Sequence, residues 1–303
     1  MAIVPIEGIE TRYEVIGSGP PLLMYAPGGF DATIEKWRTL NVYGRIKLLD
    51  HLPKKYTCIA FDRRECGQSG GRIEPVTWAH YVEQGRGLLD HLGYRQAHLI
   101  GGCMGCSCAI AFAAKYPDVV LGMILWWPAG GAKYRIKGQQ RFFDHLDFVN
   151  ESGLQAVVDL VQREGKAFNA EPRGGPWASV IKRDPEFARA YVEQDVDKYK
   201  AIIVDMAIAL LDRDTSPGAE PEELLEMDIP ALVIPGRDDS HATSAARYLE
   251  ECLPRSEYWD VAVDAQTEAA SVPRLLEFLD RTLQPEFSDI RATGLNKAER
   301  AKR

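Results

Sequence analysis

A five-residue turn, Gly101-Gly102-Cys103-Met104-Gly105, limits what this chain can fold into more than any other stretch of it. The apolar run His98-Leu99-Ile100 leads into the turn, and a helical pattern leaves it and runs to Tyr116, where Pro117 stops it. A strand that bends directly into a helix holds the residue at the bend in a strained backbone conformation, and small neighbours leave room for the close approach. The residue at the bend is a cysteine. It stands at the N-terminus of the following helix, where the helix dipole and free N–H groups favour a thiolate and can hold an oxyanion.

Around this turn, strand-like and helix-like segments alternate, the pattern of a mostly parallel sheet with helices on its faces. TRYEVI (11–16), the run 22–26, Cys58-Ile59-Ala60-Phe61 and the run 119–126 read as strands. Residues 34–50 and 76–92 read as helices, the second with Thr77 as its cap. From about 131 to 228 the segments are helix-like and charge-rich, with no convincing strand. Strand and helix then resume with ALVIPG (231–236), a helix over 242–252, YWDVAV (258–263) and a last helix over 272–283. The expected architecture is an α/β core of about eight strands, residues 1–130 plus 229–285, with a helical cap inserted at 131–228. The polar end, 286–303, reads as a frayed tail.

A formal net charge of -8 argues against a sequence-independent grip on nucleic acid or on an anionic membrane, both of which need clustered Lys and Arg. No apolar run is long enough to span a bilayer, and MAIVPIEGIETRYEV lacks the pattern of a signal peptide. A cytoplasmic location is the default expectation. The six cysteines, three of them within six positions, are poorly spaced for a disulfide framework and read as reduced thiols. A metal site on Cys103, Cys106 and Cys108 is disfavoured because that stretch enters a helix and lacks a further ligand. No metal or organic cofactor is expected. The expected partner is a small-molecule substrate, with a homodimer as the candidate assembly.

The stretch HLIGGCMGCSCAIAFAAKYPDVVLGMIL resembles the nucleophile elbow of α/β-hydrolases, G-x-S-x-G, with cysteine in place of serine, as in dienelactone-hydrolase-like members. LLMYAPGG (22–29) is similar to the loop after the third strand, and FDRRECGQSGG (61–71) to the D-x-R-G-x-G-x-S turn, with Glu65 where glycine is usual. IPALVIPGRDDSHATSAARYLEECLP (229–254) is similar to the strand and loop that carry the catalytic acid. The resemblance covers roughly residues 10–283. It implies an α/β-hydrolase fold with Cys103 as nucleophile and the amide of Met104 as one oxyanion donor. Gly29 or Phe30 would supply the second donor. It places the acid at Asp239, with Asp238 as the alternative.

The resemblance breaks at the histidine, which the family places after the last strand. Here that segment reads Val263-Asp264-Ala265-Gln266-Thr267-Glu268, and no histidine follows His241. Three arrangements fit. His241 swings in as base from the acid's own loop; or the elbow and a neighbouring cation lower the thiol pKa enough that no base is needed; or the protein has left hydrolysis for lyase or isomerase chemistry, or has lost catalysis.

The plainer readings apply elsewhere. Cys106 and Cys108 read as core packing and Cys66 as a surface thiol without a role. His51, His80, His91, His98 and His145 read as structural. Trp126 and Trp127 are expected to wall a pocket under the cap, and Arg64, or Arg63, to receive a substrate carboxylate. The leading expectation is a cofactor-independent hydrolase of a small acyl, lactone, amide or C–C substrate. A ring-opening lyase on the same fold and a ligand-binding protein lacking a complete triad are the rivals.

Overall fold

The computed structural model describes residues 2–283; the tail expected at 286–303 lies outside the described residues. Eight strands form one sheet: β1 (Ala2–Ile6), β2 (Ile9–Ile16), β3 (Pro21–Tyr25), β4 (Thr57–Phe61), β5 (Ala97–Gly102), β6 (Val120–Trp126), β7 (Ala231–Ile234) and β8 (Ser256–Tyr258). Their spatial order is β1-β2-β4-β3-β5-β6-β7-β8. β2 runs antiparallel to both β1 and β4, and all other pairs are parallel. Every residue of β3 to β7 is buried, which is why these strands read as unbroken apolar runs: helices cover both faces.

One face carries α4 (Trp78–Leu92), α5 (Met104–Lys115) and α11 (Thr243–Cys252). The other carries α1 (Lys36–Thr39), α2 (Asn41–Ile46), α3 (Leu48–His51) and α12 (Glu268–Arg281). The expected single helix over 34–50 is thus three short ones. Leu40 is extended (φ -89°, ψ 117°) and Lys47 left-handed (φ 55°, ψ 49°), so the chain turns twice while keeping Trp37, Val42, Tyr43 and Leu48 on the core. β8 ends at Tyr258, short of the expected 263. α12 starts four residues before Val272 because Thr267 caps it, its hydroxyl accepting from the Ala270 amide at 3.3 Å. Thr77 caps α4 as expected. His80 shares the task, its Nδ1 accepting the Thr77 amide at 3.1 Å.

Between β6 and β7 the chain forms α6 (Ala132–Glu164, bent at Gly153), α7 (Ala178–Arg183), α8 (Pro185–Val192), α9 (Val196–Leu210) and α10 (Pro221–Leu225). Among the described residues no helix is long and apolar enough to cross a membrane. The inner stripe of α6 packs on α9 through a polar core. The Nδ1–H of His145 donates to the Arg173 carbonyl at 2.9 Å, so its Nε2 accepts from the Tyr199 hydroxyl at 2.5 Å.

Burial holds His145 neutral, pulling its pKa down to about 4, and holds His98, whose Nε2 lies 2.8 Å from the Thr282 hydroxyl, down to about 3. A histidine whose folded pKa lies below the unfolded value of about 6.5 contributes stability above that value and loses it as the pH falls. Each is expected to withdraw about 2 kcal/mol between pH 7 and pH 5. Urea unfolding at the two pH values checks this, and His98→Gln should lose less stability on acidification than the wild type. An identical pH dependence in the variant would refute the assignment.

Candidate functional site

Cys103 links β5 to α5 with φ 54° and ψ -126°, a conformation that a side chain rarely adopts. Its amide donates to the Trp126 carbonyl at 3.1 Å, and its own carbonyl accepts the Cys106 amide at 3.0 Å. The bend closes only over glycines. A Cβ on Gly101 would lie 2.4 Å from the Gly105 carbonyl oxygen, and one on Gly105 would lie 2.2 Å from that of Tyr25. The result turns the Cys103 thiol outward, where it is partly exposed, and sets the Met104 amide beside it.

The loop after β7 brings the other two groups. The Asp238 carboxylate accepts the amides of Ser240 (2.8 Å) and His241 (3.0 Å), folding a tight turn, and also accepts Nδ1–H of His241 at 2.8 Å. This fixes the imidazole with Nε2 on the side of the Cys103 thiol, which it faces electrostatically; that nitrogen is buried and makes no hydrogen bond among the described residues. Trp127 packs against the ring, centroids 5.4 Å apart, and Gly130 pairs with His241 as a one-residue bridge. Burial opposes charge on both partners. For Cys103 the facing His241, then the amides of Met104 and Gly28, outweigh it and bring the thiol pKa down. For His241, burial is outweighed by Cys103 and Asp238, which lift its pKa to about 10. His241 in turn holds Asp238 down to about 2. The two shifts run in the same sense, each partner favouring the charged form of the other, thiolate beside imidazolium.

Several expected site residues sit elsewhere. Asp239, the first choice for the acid, points the opposite way from Asp238 and binds Lys133 (2.9 Å) and Lys137 (2.6 Å) on α6 at the surface. Neighbours in a tight turn diverge, and Asp238 is the one the turn folds around. The second amide at the sulfur belongs to Gly28 in place of Gly29 or Phe30. The Gly29 carbonyl receives the Arg63 guanidinium, and the Phe30 ring packs against Phe142 and Phe168 at 5.5 and 5.2 Å. Arg64 is buried in ion pairs with Glu65 and Glu74 and does not face the thiol. Cys66 is buried, not at the surface, and burial pushes its pKa up to about 12.

Trp126 and Trp127 both donate their indole N–H to the Gln266 side-chain oxygen, at 3.0 and 2.8 Å. Gln266, fully buried, donates in turn to the Pro235 carbonyl at 2.8 Å. It occupies the segment where a histidine was expected, and only Trp127 of the two indoles reaches His241. Sequence reasoning missed Gln266, Gly28 and Asn169, whose amide nitrogen holds the Gly28 carbonyl at 2.6 Å. Nothing in the local pattern singles out Gln266 or Asn169, since each depends on a neighbour more than a hundred residues away. Among the described residues no cluster of three or more His, Cys, Asp or Glu is placed to hold a metal.

Comparison with known proteins agrees with this fold. Residues 21–148 match the model of the alpha/beta hydrolase fold. A 2-hydroxy-6-oxo-6-phenylhexa-2,4-dienoate hydrolase of Comamonas testosteroni is 28% identical over 159 residues, covering 51% of this chain and 50% of the relative. A proline iminopeptidase of Clostridioides difficile is 26% identical, covering 55% of this chain and 56% of the relative. The matched region thus spans about half the length of these curated relatives. Among solved structures, an α/β hydrolase from a Medee basin deep-sea metagenome library superposes with TM-score 0.61 at 17% identity, covering 93% of this chain and 98% of the other. The enol-lactonase of Burkholderia xenovorans LB400 does so with TM-score 0.57 at 20% identity, covering 92% and 100%. Sheet order, elbow and these likenesses agree: the chain has the α/β hydrolase fold.

Proposed function

We propose that the protein is a hydrolase that acts through a covalent thioester on Cys103, with His241 as proton carrier and Asp238 as the group that orients it. One observation carries this reading: the Cys103 thiol faces a histidine whose other ring nitrogen is held by a carboxylate. That arrangement fills the roles of a nucleophile, base and orienting acid, and it speaks against the reading of a binding protein without a triad.

The Cys103 thiolate attacks a substrate carbonyl, and the carbonyl electron pair moves onto oxygen between the amides of Met104 and Gly28. Collapse expels the leaving group, which takes the proton of the His241 imidazolium. Neutral His241 then removes a proton from water; the hydroxide attacks the thioester, and the acid leaves as the thiolate reforms. The helices of residues 131–228 serve as a cap over the site, and the substrate is a small ester, lactone or cleavable ketone. The relatives' activities on a dienoate and, on the same fold, an enol-lactone lie within that range.

Two experiments test the reading. Alkylation of Cys103 by iodoacetamide should show an inflection below the ordinary thiol value of about 8.5, and His241→Gln should move it upward. Turnover should rise through that lower step and fall as the pH passes about 10, where His241 loses its proton. An alkylation profile insensitive to the loss of His241 would sink the pairing. Separately, enzyme quenched with acid during turnover of 4-nitrophenyl acetate should carry an acetyl group on Cys103. Cys103→Ala should lower turnover by at least ~10³-fold. Acylation of another residue, or turnover surviving in Cys103→Ala, would overturn the covalent mechanism.

A further inference from the structure

The first turns of α6 lie over the nucleophile. The amide of Ala129, just ahead of the helix, donates to the Cys103 carbonyl at 3.4 Å, and Gly130 is bridged to His241. From there Tyr134, Gly138, Arg141 and His145 recur at intervals of four, three and four residues, so they share one face of the helix. Gly138 and His145 on that face are buried, and Tyr134 and Arg141 are half-buried between them. Phe142, next to Arg141, packs 5.5 Å from Phe30 on the loop that supplies the Gly28 amide. The Tyr134 hydroxyl lies within electrostatic reach of Cys103 and Arg141, and burial pushes its pKa up.

The other cations in this part of α6 are paired. Lys133 and Lys137 hold Asp239, and Arg135 holds Asp214 at 2.6 Å. Arg141 is the exception, and it is the one on the inner face. Among the described residues its guanidinium has no ion pair, hydrogen bond or ring contact, and the Tyr134 hydroxyl makes no hydrogen bond. Asp144, three residues on, accepts the side chain of Gln140 at 2.8 Å, and Asp238 is taken by His241. A partly desolvated guanidinium without an anion lacks the compensation that buried charge needs, and its planar fork fits a carboxylate with two parallel hydrogen bonds.

We infer that Arg141, together with the Tyr134 hydroxyl, receives a carboxylate of the substrate, so that the enzyme acts on acyl compounds bearing a second, anionic group remote from the scissile carbonyl. This rests on the assignment of Cys103 as the attacking group. The anion would sit on the α6 side of the pocket while the carbonyl lies between Met104 and Gly28. Arg64, the residue that the sequence suggested for this task, is already neutralised by Glu65 and Glu74.

A matched pair of probes tests it: 4-nitrophenyl hydrogen glutarate, which is anionic, and 4-nitrophenyl valerate, its neutral analogue of equal chain length. The wild type should favour the glutarate ester in kcat/KM by about tenfold or more, mainly through KM. Arg141→Gln should lower that ratio at least ~10-fold, and Arg141→Lys should restore part of it. Arg189→Gln, which removes an exposed charge on α8, should leave the ratio as it is. Free glutarate should also slow iodoacetamide labelling of Cys103 in the wild type and not in Arg141→Gln. A ratio near one in the wild type, or one that Arg141→Gln leaves intact, would overturn the inference while hydrolysis stands. If neither ester turns over yet glutarate protects Cys103 through Arg141, the anion site stands and the hydrolytic reading falls.

Discussion

The backbone of Cys103, held at φ 54° between a buried strand and a buried helix, is the point from which the rest of the site is built. Such a conformation costs on the order of 1–3 kcal/mol and persists only where packing over-determines it. Here the packing is supplied by β3 and β6 on either side of β5, and by glycines at 101 and 105 that let α5 close onto the sheet. The Trp126 carbonyl gathers three donors at this spot: the Cys103 amide at 3.1 Å, the Tyr43 hydroxyl at 2.9 Å and the Cys106 thiol at 3.4 Å. The bend is therefore anchored from beneath. Its upper side, the thiol and the Met104 amide, is left free for chemistry.

The relocation of the histidine follows from what fills its usual segment. Two indole N–H groups, from Trp126 and Trp127, converge there, and one amide oxygen accepts both while the same side chain donates to Pro235. A neutral imidazole has one acceptor and one donor in a rigid ring, and it does not reproduce the broader capacity of an amide oxygen. Gln266 thus satisfies three buried polar groups. In the proposed mechanism the base is instead residue 241, three positions after the carboxylate that binds it, so that a single turn supplies both members. A thiolate nucleophile, as proposed, would tolerate this compact arrangement because it needs a neighbouring cation more than a base for the first step.

The α/β core was legible in the sequence because its signals are local. Buried parallel strands are unbroken apolar runs, and the elbow's glycines are needed where they stand. The elements that failed were those set by contacts distant in the chain. The 34–50 segment has helical periodicity, yet it is broken twice to keep Trp37 and Tyr43 on the core. Within the proposed site, Cys103, Met104 and His241 stand in the turn and the loop that the sequence singles out. Asp239 and Asp238 were not separable by spacing, since which of two adjacent carboxylates faces inward depends on the turn that only the fold discloses. Gln266 and Asn169 carry no sequence signal at all, because a polar residue acquires its meaning from the groups it satisfies.

The two carboxylates divide the loop into a side that faces His241 and a side that faces α6. Asp238 holds the ring of His241, which is buried and shielded from water, where a charge-assisted hydrogen bond is strong. Asp239 meets two exposed lysines, and pairs of that kind contribute roughly 0–1 kcal/mol. The lysines therefore tether α6 to the loop only loosely. What fixes the start of α6 over the thiol is backbone pairing: Gly130 to the loop, and Ala129 to Cys103 itself. Those bonds act at one end of the helix. Tyr134 lies close to that fixed end, and Arg141, two turns farther on, lies beyond it. Geometry at the sulfur is thus set by the sheet, while the inferred anion site on α6 would rest on a helix held more weakly. If α6 does select the ligand as inferred, substitutions on its inner face would alter which molecules are accepted without moving Cys103 or His241.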